Sequence, residues 1–264
     1  MKHLILLCLC ILGSQLNAQT TQPAEKQGNE MKSGNEMIEN RLRPTPKMSK
    51  NTDGEAMTKD TPNKVENVES LLSEKELMAK YGLAISDKNV LGGLTSEDKV
   101  PNIKGIDQNG NKIDLYDMLK EGEVVVFFYR GIWCGICNRQ LAEMENQLSK
   151  ITDKGAKVIA ITSESNEFVT KTSEKHNLSF SVISDEDGKI MKDYKVLYEV
   201  SDDYQKKVAN YTKSDLQTYN NSDEAFLPIP ATYIVGKDGK LSYIQYSMDY
   251  AKRATVDEIA KYLK

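Results

Sequence analysis

The sequence predicts an α/β protein: a central mixed β-sheet flanked by helices, with a helical extension at the N-terminal side and a long helical insertion late in the chain. Three features carry that prediction. Val124 to Tyr129 is an unbroken β-branched and aromatic run, the composition of a central strand covered on both faces. A helix-period segment follows and leads to a second apolar run, Val158 to Ile161, which makes a βαβ unit and favours parallel pairing. Two later strand-like segments, Ala231 to Val235 and Leu241 to Tyr246, are joined by Lys237-Asp238-Gly239-Lys240, a hairpin turn that adds antiparallel strands.

Residues 1–18 read as a secretory leader. Lys2 and His3 supply a positive start, Leu4 to Leu12 is apolar except for Cys8 and Cys10, and Leu16-Asn17-Ala18 offers a cleavage site. The apolar run is too short to span a bilayer, and the bulky residues before Cys8 and Cys10 argue against a lipid anchor. The mature chain is therefore expected to be secreted across the inner membrane into a periplasmic or extracellular space where disulfides persist. Residues 19–64 are Lys, Glu, Asn, Thr, Ser and Pro with a small repeat, Gly-Asn-Glu-Met, and cannot offset the entropy of ordering; a disordered linker is expected. Every aromatic residue lies at or beyond Tyr81, which assigns the packed domain to residues 65–264.

Within that domain, Val65, Val68, Leu71, Leu72, Met78 and Tyr81 recur at helical spacing, and Gly82 is placed to cap them. Asn109-Gly110 marks a tight hairpin over residues 103–113, followed by a short helix from Leu115 to Lys120. After the first buried strand, Leu141, Met144, Leu148 and Ile151 mark one helix face that Gly155 ends. A helix from Ser165 to His176, a strand at Phe180 to Ile183 and a turn at Asp185 to Gly188 come next. Residues 189–227 form a polar, Tyr-rich insertion. Its Tyr194, Tyr198, Tyr204, Tyr211 and Tyr219 are expected mainly to pack helices while their hydroxyls reach water, with a substrate groove as the alternative. Val256 to Leu263 is the terminal helix.

Composition narrows the function. A 264-residue chain that is 39% hydrophobic can bury a core, and a net charge of −4 with no block of like charge argues against nucleic-acid binding. The sharpest motif is Trp133-Cys134-Gly135-Ile136-Cys137, directly after the central strand and at the start of a helix. Unpaired amides and the helix dipole favour an anion there, so a thiolate forms more readily than in water. Helical geometry turns the first cysteine outward and sets the second a turn deeper. Cys134 is accordingly expected to be the nucleophile, the more exposed of the pair and the one of lower pKa, and Cys137 the resolver. A zinc site needs four ligands, whereas the mature chain offers two cysteines and His176, so no metal and no cofactor is expected. A purely structural disulfide closed over two residues would stabilise little. Arg130 sits close enough to add positive potential, or is a solvated loop residue, and Trp133 is expected to pack beside the motif.

The run Phe127-Phe128-Tyr129-Arg130-Gly131-Ile132-Trp133-Cys134-Gly135-Ile136-Cys137-Asn138-Arg139-Gln140-Leu141 resembles redoxins of the alkyl-hydroperoxide-reductase/thiol-specific-antioxidant group, peroxiredoxin-like proteins of thioredoxin fold. The likeness extends to Val100-Pro101-Asn102-Ile103, to Leu227 through Val235, and to Asp249-Tyr250 with Arg253. Aligned this way, Arg130 stands where peroxiredoxins carry Pro, Cys134 at their Thr, Cys137 at the peroxidatic Cys, and Pro230 where they place an Arg before a strand. The resemblance to thioredoxin implies that Pro230 follows a cis bond and shapes the groove, and that Phe128 replaces the buried Asp serving as proton-transfer base. Disulfide exchange with a protein or small-molecule disulfide and a thiol redox partner is the leading expectation. Reduction of hydroperoxides, with Cys137 oxidised and Cys134 resolving, is the second; a non-enzymatic binding module is the third.

Overall fold

The computed structural model describes residues 73–264. The leader, the linker and the first turns expected for the N-terminal helix lie outside those residues. Helix α1 (Glu74–Tyr81) starts at a capping box, in which Ser73 Oγ accepts from Glu76 N–H and the Glu76 carboxylate accepts from Ser73 N–H, and it stops at Gly82. Strands β1 (Lys104–Ile106) and β2 (Lys112–Asp114) pair antiparallel around the Asn109-Gly110 turn. Asp114 caps the short α2 (Leu115–Met118), which delivers the chain to β3 (Val124–Phe128).

The single helix expected to run through Ile151 is two. Helix α3 (Gly135–Asn146) ends where Gln147 leaves helical geometry at φ −118°, ψ 16°, and α4 (Ser149–Thr152) resumes after it. That step turns Ile151 fully into the core. Then come β4 (Lys157–Thr162), α5 (Asn166–His176) and β5 (Ser181–Ser184). The insertion is part helix and part ribbon: α6 (Lys189–Asp193), β6 (Leu197–Glu199), α7 (Asp202–Thr212), α8 (Leu216–Asn220) and β7 (Phe226–Pro228), with β6 and β7 paired antiparallel. Strands β8 (Ala231–Val235) and β9 (Leu241–Tyr246) and helix α9 (Val256–Tyr262) complete the chain.

The main sheet has the order β5-β4-β3-β8-β9. Strand β3 pairs parallel with β4, as the βαβ reading requires, and antiparallel with β8, so the sheet is mixed. Alternation along β3 feeds two cores: Val124, Val126 and Phe128 face the insertion, while Val125, Phe127 and Tyr129 face α3, α5 and α9. Burial on both faces explains why the run shows no polar alternation. Among the described residues no helix is long and apolar enough to cross a membrane.

Residues 82–93 are stitched to the insertion. Ala84 N–H donates to Glu199 O at 2.8 Å, Val90 N–H to Leu197 O at 2.8 Å and Gly93 N–H to Lys195 O at 2.9 Å, while Gly82 O accepts from Ser201 N–H. Gly82 has φ 84°, and a Cβ there would run into the Tyr204 ring. The start of the domain thus holds α7 in place.

One expectation is overturned. The Ile229-Pro230 bond is trans, because residues 226–230 run extended from β7 into β8 without reversing. Ile229 N–H donates to Val196 O at 2.7 Å, and Pro230 O accepts from Ser247 N–H at 3.3 Å, which fixes the straight path.

Candidate active site

The cysteine motif lies where β3 passes into α3, at the carboxyl end of a central parallel strand, where α/β sheets form their crevices. Cys134 is the N-cap residue of α3 and Cys137 sits in its first turn. Both are free thiols and both are buried, Cys134 at 7% exposure and Cys137 at 0%, so the expected order of exposure holds while neither is open. Cys134 lines a groove of about 340 Å³ between α3, α7 and Tyr250; Cys137 lies behind it.

The expected order of acidity is reversed. Burial alone would push the Cys137 thiol up, but a hydrogen bond from Cys134, the guanidinium groups of Arg253 and Arg130, and the Arg130 backbone N–H outweigh it and bring Cys137 to about 5. Arg130 N–H and Arg253 Nη2 each lie 3.4 Å from Cys137 Sγ. Cys134 goes the other way: its hydrogen bond to Cys137 and its burial hold its proton. The pair therefore shares one negative charge that rests on Cys137.

Arg130 is no solvated loop residue. It is 1% exposed, its guanidinium lies 5.0 Å from the Trp133 ring, 5.1 Å from Tyr204 and 4.2 Å from Tyr250, and its Nη2 donates to the Tyr204 hydroxyl. Trp133 packs beside the motif and lines the groove. Pro230 is buried and does not line the groove; residues of α7 and Tyr250 occupy that wall instead. Of the five insertion tyrosines, Tyr194, Tyr198 and Tyr219 are buried in packing, whereas Tyr204 and Tyr211 line the groove.

Two residues to which the sequence reading gave no role, Arg253 and Glu164, complete the site. Arg253, from the loop before α9, is fixed by Nε to Tyr250 O at 2.8 Å and Nη1 to Gln140 Oε1 at 2.7 Å, which aims Nη2 at Cys137. Glu164, just past β4, is fully buried, and both its oxygens accept from Ile132 N–H at 2.9 Å. Burial and the Cys137 charge raise its pKa well above the ordinary carboxylate range, against the pull of that hydrogen bond. Gly131 makes this approach possible: at φ 147°, a Cβ would lie 2.5 Å from Trp133 Nε1 and 2.6 Å from Glu164 Oε1. A carboxylate directly after an apolar strand, in Ile161-Thr162-Ser163-Glu164, was the available signal for Glu164. Asn138 ties the loop to α5, donating to Ile132 O and Cys134 O while its Oδ1 meets His176 Nε2 at 2.7 Å.

The model of the AhpC/TSA family matches residues 96–244. The chain belongs to the AhpC/TSA family. A thiol-disulfide oxidoreductase ResA of Bacillus thuringiensis subsp. konkukian is 26% identical over 180 residues, 66% of this chain and 83% of that protein. A chloroplastic peroxiredoxin Q of Sedum lineare is 27% identical over 158 residues, 60% of this chain and 72% of that protein. The crystal structure of peroxidoxin BcpB from Mycobacterium tuberculosis aligns with a TM-score of 0.50 at 17% identity, covering 64% of this chain and 96% of its own. That likeness carries the thioredoxin-like fold. With relatives of both kinds, this AhpC/TSA member is an oxidoreductase that works through thiols.

Proposed function

We propose that this AhpC/TSA protein is an extracytoplasmic thiol-disulfide oxidoreductase in which Cys134 attacks a substrate disulfide and Cys137 resolves the mixed disulfide. One observation supports the assignment above others: of the two sulfurs, only Cys134 lines the groove. The extracytoplasmic setting rests on the leader-like residues 1–18.

In the reduced pair the Cys134 thiol donates to the Cys137 thiolate. Shifting that proton moves the charge to Cys134, beside Arg130 and facing the groove. The Cys134 thiolate attacks one sulfur of the substrate disulfide, a Cys134–substrate S–S bond forms, and the other substrate sulfur leaves as a thiolate that takes a proton from water. The cysteine pair is then neutral, which lowers the cost of ionising Glu164. Glu164 then releases its own proton to solvent and, as a carboxylate, takes the Cys137 proton, filling the role of the base missing at Phe128. Cys137 attacks Cys134, the substrate's remaining sulfur leaves as a thiolate, and the two electrons of the dithiol have passed to the substrate.

A second reading, hydroperoxide reduction at Cys137, is favoured by the Arg253 contact, since a fixed cation at the sulfur offsets charge developing on the leaving oxygen. There the Cys137 thiolate takes one peroxide oxygen to become a sulfenic acid, an alcohol or water leaves, and Cys134 condenses with it to a disulfide and water. Intact-protein mass spectrometry separates the two. Disulfide exchange predicts that Cys137→Ser traps a mixed disulfide at Cys134 and that Cys134→Ser is inert toward disulfides. Rapid accumulation of sulfenic acid at Cys137 in Cys134→Ser, with no trapping by Cys137→Ser, overturns it in favour of the peroxidase.

A further inference from the structure

We propose that the groove selects a disulfide flanked by carboxylates, carried on an acidic peptide segment of a partner protein. This rests on the disulfide-exchange reading and adds the chemical class of the substrate.

The charge of the groove runs against that of the chain. The net charge is −4, yet three cations, Arg130, Arg139 and Lys207, line the groove and no carboxylate does. Several lysines elsewhere are matched: Lys88 with Glu224 at 2.9 Å, Lys171 with Glu167 at 2.6 Å, Lys195 with Asp98 at 2.7 Å. On α7 itself Lys206 leans back to Asp203, whereas the adjacent Lys207 faces the groove with no acidic partner among the described residues. Arg139 also has none. Arg130 is buried with aromatic rings on several sides, its Nε has no hydrogen-bond partner, and its nearest anion is the cysteine pair. Arg139 and Lys207 are thus the unmatched charges of the groove, and they attract an anion.

Shape and chemistry narrow the anion to one beside a disulfide in a peptide. Tyr211, 80% exposed, shares the groove lining with Cys134, which suits a chain that continues past the reacting sulfur. Carboxylates flanking a disulfide repel an attacking thiolate and make the sulfur a poorer leaving group. Arg139 and Lys207 offset both effects while Cys134 attacks and the second substrate sulfur departs as a thiolate.

Trp133 is the single tryptophan of the chain and lines the groove, so its fluorescence reads occupancy without turnover. The test titrates an unreactive Cys134→Ser/Cys137→Ser full-length protein with three short cyclic disulfide peptides that differ only in having Glu, Gln or Lys beside the half-cystines. The Glu peptide is expected to bind at least about ten-fold more tightly than the Gln peptide, with the advantage fading as salt rises from about 0.05 to 0.5 M. Arg139→Glu/Lys207→Glu is expected to invert the order toward the Lys peptide. Equal binding of the three peptides overturns the proposal, and oxidised glutathione binding as tightly as the Glu peptide overturns the partner-protein source. Unmutated protein that reduces neutral 2-hydroxyethyl disulfide, combined with equal peptide binding, removes the specificity alone. Protein that reduces neither that compound nor the Glu peptide removes the oxidoreductase reading with it.

Discussion

Cys137 holds the charge of the cysteine pair because three donors converge on its sulfur from separate segments: the Cys134 thiol, the Arg130 N–H and Arg253 Nη2. Thiolate absorbance of the reduced protein should therefore show one step near pH 5, absent in Cys137→Ser, with no second step until strongly alkaline pH. Arg253→Met should raise that step by about one to three units, the usual effect of removing an adjacent opposite charge. Glu164→Gln keeps a hydrogen-bond acceptor for Ile132 N–H but cannot take a proton. It should slow resolution of the mixed disulfide by about 10²-fold while leaving its formation nearly intact, which rapid-quench trapping resolves. The Cys-Gly-Ile-Cys spacing made the proposed reacting pair legible in the sequence. Which sulfur is charged was not legible, because Arg253 stands 116 positions from Cys137 and only the fold brings them together.

At the level of elements, the terminal helix α9 closes one core with Val256 and Ile259, and Thr255 caps it through a reciprocal box with Glu258. Thr255→Ala should cost about 1 kcal/mol, read as a lower urea midpoint with unchanged slope. Strands β3, β4 and β8 were legible as apolar runs, since their burial leaves a compositional trace, and the half-buried β9 was legible from the Lys237–Lys240 turn that joins it to β8. The β6–β7 ribbon was not. Each of its strands is three residues long, Pro228 supplies no N–H, and the partners lie about thirty residues apart, so no local pattern marks them. The same ribbon explains the mistaken cis bond: fold analogy supplied a cis bond before Pro230, whereas local pairing pulls residues 226–230 straight. The break at Gln147 also had no signal, because no Gly or Pro marks it and the demand for it comes from packing of Ile151.

For the molecule as a whole, stability should depend on redox state and pH together. A folded pKa of about 5 against 9.0 means that the unfolded reduced chain binds more protons between those values. The thiolate contribution is therefore complete above pH 9, present in part at neutrality and lost as pH falls through 5. Closing the small Cys134–Cys137 ring favours the oxidised form by only about 2 kcal/mol. Acidification from pH 7 to pH 5 should therefore lower the stability of the reduced protein more than that of the disulfide form, which paired denaturant titrations at both pH values would reveal, and above pH 9 the proton held on Cys134 should work against the reduced fold. Oxidation at neutral pH leaves Arg130 and Arg253 without their anion, so Arg253→Met should make the pair more reducing, a shift read by equilibration against glutathione buffers. A different boundary follows from the backbone bonds between residues 82–93 and the insertion. The family match begins at residue 96, yet Tyr204, which grips Arg130, rests on Gly82, and its helix hangs from strands sutured to Ala84 and Val90. The family match and the hydrogen-bonded unit do not coincide. A chain begun at residue 96 should keep its sheet but show faster amide exchange across α7, and it should lose the wall that faces Cys134.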